Sequence, residues 1–512
     1  MPTVSALTLD LLALAAGAAL VAAYAPFHLY WLAPPLLALL GWSWTGASAR
    51  RAAWRGYLFG LGLFGGGVSW VHISLHSYGG APLTFAVLAN VLLVAYLALY
   101  PALWGGLLVR FWPRPGPVRW LLAWPALGLL LEVIRAWVLN GFPWLAPGYS
   151  QTESVLAGLA PIGGVLAVGW AVTVSAGLLL LTLRGPWRPL WPALLAALWL
   201  GTAVLDRHPW SEPAGEPLEI ALIQGNIAQD HKWEPDALDR TLLRYLELSA
   251  GVARDSDVVI WPETAIPLFL DYLDPAYLEI LRAQGIRTDT DYLIGIPSGN
   301  LDQGIYYNAV MALNPVENAA PVAEGPPPDP RRPRLYRKHH LLPFGEYLPL
   351  RSVFALFRHY VDIPMADFAV GGLHQPLLRA GGHPVGVSIC FEAAFGDEIR
   401  RALPQAAYLV NVSNDAWFGN SLAPAQHLQI ARMRAIETRR WLARATNTGI
   451  TALVDPYGRI VQRGPLFEET VVQGRLIPLA GTTPYARFGD WPVQLAALAL
   501  LLLGWSLRHR GT

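Results

Sequence analysis

The sequence predicts an α+β membrane protein: a bundle of apolar helices, then a layered α/β block, then a further apolar helix. Three observations predict it. Apolar runs of near-spanning length follow one another from Val4 to Leu205. After Asp206 the pattern changes to strand-like and helix-like stretches separated by polar loops. Another apolar run follows at about 491–507. With 54% hydrophobic and only 14% charged residues, the 512-residue chain is too apolar for an ordinary soluble globule. A net charge of +1 gives no electrostatic case for a nucleic-acid partner.

The first part contains seven apolar runs, at about 4–24, 29–44, 54–75, 82–110, 119–139, 162–183 and 189–205. Crossing a bilayer takes about 20 apolar residues, so the second and seventh are short. The first has no basic leader region and more spans follow at once, which reads as a span and not as a cleaved signal. Arg50, Arg51 and Arg55 follow the second run, Arg110, Arg114 and Arg119 the fourth, and Arg184 and Arg188 the sixth. The loops after runs one, three and five carry no Lys or Arg. Basic loops stay in the cytoplasm, so this pattern places the N-terminus there and the block after run seven outside. The run at 491–507 ends in Arg508 and Arg510 and returns the C-terminus to the cytoplasm. Eight spans then divide the chain into a transmembrane part (1–206), an outer block (212–482) and a final helix with its tail (488–512).

Three features of these runs carry expectations. Glu132 and Arg135 lie one helical turn apart and read as a local pair near the outer interface. In the loop Asn140 to Gln151, Trp144 and Tyr149 suit the headgroup belt. Gly65, Gly66 and Gly67 suit either a close helix approach or a flexible joint.

In the outer block, strands are expected at Leu218 to Ile227, Asp257 to Thr264, Tyr292 to Gly299, Ile305 to Pro315, Ala407 to Asn414 and Ile450 to Val461, and in the run before Cys390. Helices are expected at Trp233 to Val252, Tyr272 to Gln284 and about 424–441. Alternating strands and helices, with hairpin-like pairs near both ends, make a layered α/β sandwich.

Cys390 is the single cysteine, so any role it has must be that of a thiol. Val385, Val387 and Ile389 alternate before it as in a buried strand, and a thiol past a strand end can face a cleft. The alternative role is that of a small buried hydrophobe. Only Lys232 and Lys338 are lysines among 37 basic residues. A lysine kept in an arginine-biased chain hints at a need that arginine cannot meet, such as losing a proton, and this points at Lys338. Glu263, Lys338 and Cys390 each follow a strand-like run or sit in a turn-rich loop. A thiol with a pKa of about 8.5 needs a base to become a nucleophile, and Glu263 can supply one. An ammonium and a backbone N–H, that of Phe391, can hold the oxyanion of acyl transfer.

The ordered set WPETA (Trp261 to Ala265), YRKHHLLPFGEYLP (Tyr336 to Pro349) and SICFEAAF (Ser388 to Phe395) resembles the nitrilase superfamily. With the spans, QGNIAQDHKW (Gln224 to Trp233), the Asn140 to Gln151 loop and NVSNDAWFG (Asn411 to Gly419), the whole chain resembles the apolipoprotein N-acyltransferase family. The resemblance implies an eight-helix transmembrane bundle carrying an αββα nitrilase-like sandwich in a bacterial inner membrane, on the periplasmic side. It implies Glu263 as general base, Lys338 as transition-state stabiliser and Cys390 as acylated nucleophile. Glu346 would position Lys338, Glu392 would support the site, and Trp233 would lie near the acyl chain. Phe391 stands where the family often has tyrosine. The implied donor is a membrane phospholipid and the implied acceptor is the α-amino group of a diacylated apolipoprotein. The thioester would need shielding from water, for which Ala416 to Phe418 and the stretch 353–368 are the aromatic loops at hand.

Two other readings fit parts of the pattern: a membrane-anchored amidase or nitrilase, and a transporter with a ligand-binding outer block. The spans carry few charges and show no inverted repeat, which counts against the transporter. No cofactor or metal is expected: His339 and His340 are adjacent with no Cys or acidic cluster to complete a ligand set, and no P-loop pattern occurs.

Overall fold

A computed structural model describes residues 5–184, 188–229, 232, 235–300, 302–314, 333–343, 345–347 and 367–508. A helix lies on each apolar run: α1 (Ala6–Leu20), α2 (Ala33–Ser43), α3 (Ala49–Gly67), α4 (Leu83–Phe111), α5 (Trp124–Arg135), α6 (Ala160–Arg184), α7 (Leu190–Asp206) and, after the outer block, the helix Trp491–Leu507. By length and composition, three helical stretches can cross a membrane: Ala6–Ala23, Leu83–Phe111 and Val155–Arg184. A fourth is formed if α3 and Val71–Tyr78, bent by 54° from it, count as one span. Helix α7 and Trp491–Leu507 are apolar but shorter, and α2 has only 11 residues. The chain is thus a membrane protein, with three or four helical stretches of full spanning length among the described residues, where eight runs were expected.

The closest helix approaches lie elsewhere than Gly65 to Gly67. A side chain at Gly56 or Gly60 would run into Pro101 and Ala98 of α4, and one at Gly62 into Leu14 of α1. Gly65 meets only Val94 at 3.9 Å, and Gly67 faces the Leu145 side chain. Small residues let α3 lie against α1 and α4 one to three turns before its end, where backbone-to-backbone packing replaces side-chain bulk.

The outer block holds two six-stranded sheets of matching design. The first runs β13 (Thr470–Leu476), β2 (Leu218–Gln224), β3 (Val258–Ile260), β4 (Asp291–Asn300), β5 (Ile305–Leu313), β6 (Arg334–Arg337). The second runs β12 (Ile460–Arg463), β11 (Ala452–Val454), β10 (Leu442–Thr446), β9 (Tyr408–Ser413), β8 (His383–Ile389), β7 (Leu378–Ala380). In each, three parallel strands form the centre (β2, β3, β4; β8, β9, β10) and antiparallel strands flank them. A small ribbon pairs β1 (Ser211–Pro213) with β14 (Leu479–Gly481).

Strand alternation sets the packing. Ile220, Leu222, Val258 and Ile260 of the first sheet share one apolar core with Val385, Val387, Val410 and Val412 of the second. Their neighbours Ala221, Ile223, Val259 and Trp261 pack with Leu242 and Tyr245 of α8 (Pro235–Ala250) and Leu281 of α9 (Pro275–Thr288). Leu409 and Leu442 pack with Leu428, Ala431 and Ala435 of α10 (Ala423–Thr438). Each fully buried aliphatic side chain contributes about 1.5–3 kcal/mol. The expected strand Ile450 to Val461 is a hairpin, β11 and β12, because Asp455 to Gly458 turns the chain. Strand β13 was not expected; it closes the first sheet by pairing along all of β2.

Helix α10 is buried along nearly its whole length, though it carries Gln426, His427, Gln429, Arg432, Arg434 and Glu437. Residues between the membrane helices and at the start of α6 partner several of these groups. The indoles of Trp144 and Trp70 donate to Gln426 Oε1 at 2.7 and 3.2 Å, and the Ala25 N–H donates to Gln429 at 3.0 Å. The Val165 N–H donates to Glu437, and Arg432 pairs with Glu153. Trp144 and Tyr149 are therefore not headgroup-belt residues: both are 1% exposed, packed against the outer block. Glu132 and Arg135 do pair, and Arg135 also donates to the Phe142 and Trp144 carbonyls, shaping the loop that reaches α10.

Candidate active site

Cys390, Glu263 and Lys338 all follow C-terminal strand ends, of β8, β3 and β6. Side chains converge there because the strands run parallel or, for β6, return to the same direction through two antiparallel steps. At Cys390 the chain leaves β8 with φ +52°, a left-handed conformation that costs a non-glycine residue about 1–2 kcal/mol. Glu392 holds this turn. Its carboxylate accepts from the Ile389, His339 and His340 N–H groups at 2.7, 2.6 and 3.1 Å, and from the Tyr336 hydroxyl at 3.1 Å. One buried acid thus ties the Cys390 turn to the loop bearing Lys338. Burial pushes its carboxyl up to about 7, with Lys338 and the three N–H groups acting the other way. Phe391 packs on Phe395 and His340 at centroid distances of 5.2 and 5.8 Å.

Lys338 extends the β5–β6 ladder, its N–H donating to the Asn308 carbonyl at 2.8 Å. Its Nζ lies 2.7 Å from Glu346 Oε2 and 3.7 Å from Glu263 Oε1. The Asn308 amide donates to Glu263 Oε1 and Glu346 Oε1, each at 2.7 Å, and so fixes both acids around one ammonium. Glu263 Oε2 accepts from the Asn414 N–H at 2.8 Å, a link across to the second sheet. The Glu263 turn lies directly on Gly295 of β4, where any side chain would strike Pro262 and Glu263.

Burial alone would lower the Lys338 pKa; Glu346 and Glu263, with Cys390, instead raise it well above the ordinary lysine range. The two carboxylates therefore favour the ammonium form of Lys338, against the expectation that this lysine is kept to lose a proton. Lysine suits the place because a compact point charge fits between two carboxylates where a planar guanidinium does not. The lysine with a lowered pKa is Lys232, which burial takes down to about 8, partly offset by the Glu263 charge.

The Cys390 thiol is 6% exposed. Burial, then the Glu263 charge, push its pKa above the free-thiol value, while Lys338 and the Ser413 hydroxyl pull it down. Burial and Glu263 thus favour the thiol over the thiolate, which suits removal of the proton as the sulfur attacks.

A second polar group lies behind the turn. His427 of α10 has Nε2 3.0 Å from the Cys390 carbonyl oxygen and Nδ1 2.9 Å from Asp415 Oδ1. Asp415 also accepts from Arg444 at 2.9 Å and Ser413 at 2.8 Å. Arg444 reaches on to Asn411, whose amide donates to the Ser388 hydroxyl at 3.0 Å. Burial opposes the Asp415 charge, but Arg444 and His427 hold its carboxyl well below the usual range.

Asn308, His427, Asp415 and Arg444 were not among the expected site residues. Asn308 and Arg444 carried a signal, as polar residues inside apolar strand runs. Trp233 and the stretch 353–366 lie outside the described residues. Of the two aromatic loops named earlier, Ala416 to Phe418 packs on the bent end of the α3 segment: Trp417 meets Tyr78 at 5.8 Å, Phe418 meets Trp70 at 4.8 Å, and Ser74 donates to the Trp417 carbonyl.

Residues 16–178 match the apolipoprotein N-acyltransferase N-terminal domain, and residues 219–487 match the carbon-nitrogen hydrolase family. An apolipoprotein N-acyltransferase from Methylococcus capsulatus is 45% identical over 484 residues, 94% of this chain and 93% of its own. One from Azotobacter vinelandii is 43% identical over 511 residues, 98% of this chain and 95% of its own. Among solved structures, the C. elegans NitFhit protein is 14% identical, with 58% of this chain and 66% of that one covered, at a TM-score of 0.38. Full-length identity at this level, with both domain matches in order, means that the chain belongs to the apolipoprotein N-acyltransferase family.

Proposed function

We propose that the chain moves an acyl group from a membrane phospholipid, through a thioester on Cys390, to the α-amino group of the N-terminal diacylglyceryl-cysteine of an apolipoprotein. Acyl transfer to an apolipoprotein is the activity named for its relatives. The observation that most supports this route is Lys338 Nζ lying 2.7 Å from Glu346 and 3.7 Å from Glu263, with the charges of Lys338 and Glu263 both felt by the Cys390 thiol.

In the first half, Glu263 takes the thiol proton as the sulfur attacks the ester carbonyl carbon. Lys338 and the Phe391 N–H hold the oxyanion. The bond to the glycerol oxygen breaks, that oxygen takes the proton from Glu263, and a lysophospholipid leaves. In the second half the acceptor amine attacks the thioester carbonyl. The amine proton passes through Glu263 to the sulfur as the carbon–sulfur bond breaks, which restores the thiol. Glu346 positions Lys338, and Glu392 holds the turn. In this reading an αββα sandwich (212–482) faces the periplasm above an eight-helix bundle (1–206 and 488–512) in the bacterial inner membrane, with both termini in the cytoplasm.

The test uses the full chain in detergent with a phospholipid bearing a labelled acyl group. Label retained on Cys390, absent from Cys390→Ala, and then chased onto a diacylated peptide supports the route. Label that reaches the peptide in Cys390→Ala, or a wild type that only hydrolyses simple amides, overturns it.

A further inference from the structure

We infer that His427 is a positioning residue for the oxyanion hole. It holds the carbonyl end of the peptide whose other end is the Phe391 N–H. The inference rests on the reading above, in which Cys390 is acylated and that N–H stabilises the oxyanion.

The geometry is direct. His427 Nε2 lies 3.0 Å from the Cys390 carbonyl oxygen, a group that only accepts, so Nε2 carries the proton of that bond. The same peptide unit carries the Phe391 N–H. A trans peptide is planar, and its N–H points opposite to its C=O. Fixing the carbonyl toward α10 therefore aims the Phe391 N–H away from α10. A hydrogen bond at the carbonyl end also polarises the peptide and strengthens the N–H as a donor.

The brace must be stiff, because Cys390 sits in a left-handed conformation from which the peptide can rotate away. His427 is stiff on both sides. Its Nδ1 meets Asp415, itself fixed by Arg444 and Ser413, and its ring packs against Trp144 and Phe418 at 5.8 and 6.3 Å. His427, Asp415 and Arg444 are at most 1% exposed. None of the three makes a direct hydrogen bond to the sulfur among the described residues; His427 meets the Cys390 peptide instead.

Two chemical probes on the full-length protein test the inference. Acylation of Cys390 by vesicles of phosphatidylethanolamine and phosphatidylglycerol with a labelled acyl chain needs an oxyanion hole. Alkylation of Cys390 by iodoacetamide does not. His427→Asn keeps a group near the Nδ1 position but none near Nε2, and His427→Gln places an amide N–H near Nε2. The Asn variant is expected to acylate about 10- to 100-fold more slowly, with alkylation within about threefold of wild type, and the Gln variant to recover most of the acylation rate. Both rate constants are read on one preparation, so an unfolded fraction lowers amplitude and leaves their ratio unchanged. Equal slowing of both probes, no slowing of either, or recovery by Asn and not by Gln overturns the inference. Acyl label bound to Cys390→Ala would instead overturn the underlying reading, whatever His427 does.

Discussion

Two buried polar pockets flank Cys390, built from similar residue types. In front, Glu263 and Glu346 surround the Lys338 ammonium, with Asn308 fixing both acids. Behind, Asp415 is held by Arg444 and His427, with Asn411 alongside. The cations differ, and so do the uses. A lysine beside two carboxylates leaves a cluster that can take one more proton without losing its ion pair. An arginine bound to one carboxylate makes a cluster with nothing to exchange, suited to holding a backbone still. Two buried sites of similar composition can thus serve chemistry and shape respectively, the second marked by its bond to the Cys390 peptide.

The contrast is sharpest at the sulfur. Cys390→Ala is expected to lower acyl transfer by about 10,000-fold or more and to abolish the acyl-enzyme, read by mass spectrometry of the intact protein. Lys338→Arg keeps the charge but not the compact geometry, and a loss of about 100- to 1,000-fold in turnover is expected. Activity near wild type would mean that the front pocket needs only a positive charge. In the rear pocket the expected effect is on stability. Arg444→Met leaves Asp415 buried with a missing partner, at a cost of about 3–5 kcal/mol, seen as a lower melting temperature in detergent. An unchanged melting temperature would remove the distinction drawn here.

The smallest effect is a displacement in pH. Because burial and Glu263 raise the Cys390 pKa, iodoacetamide alkylation should keep rising with pH beyond the free-thiol value of about 8.5 instead of levelling there. Glu263 raises this pKa and Lys338 lowers it. Glu263→Gln should therefore move the profile to lower pH and Lys338→Met to higher pH. Unchanged profiles would show that the thiol does not feel the front pocket.

Sequence alone exposes the front pocket better than the rear one. Cys390 and Lys338 stand out by rarity, and each front residue follows a recognisable strand or turn signal. His427 lies in a helix whose residues are apolar and polar on all sides, so no periodicity marks the face that meets Cys390. Asp415 gains meaning only from Arg444, across a parallel pairing of β9 and β10 that no local pattern announces. Trp144 shows the same limit from the membrane side. An aromatic residue between spans reads as an interfacial anchor until a partner for its N–H is known, and Gln426 is remote in sequence. Strand β13 was missed because its alternation, with Gln473, Gly474 and Arg475 on a half-exposed edge, is weak, although its pairing with β2 is complete.

The loops that join α10 to the membrane helices have a practical consequence. Asn140 donates to the Leu341 carbonyl and accepts from His340, two and three residues beyond Lys338, while Trp144 grips the residue next to His427. Cutting residues 212–482 free as a water-soluble reagent would strip support from both the lysine loop and the histidine helix at once. Anyone seeking a detachable version of this catalyst would have to rebuild that footing, not merely trim two anchors.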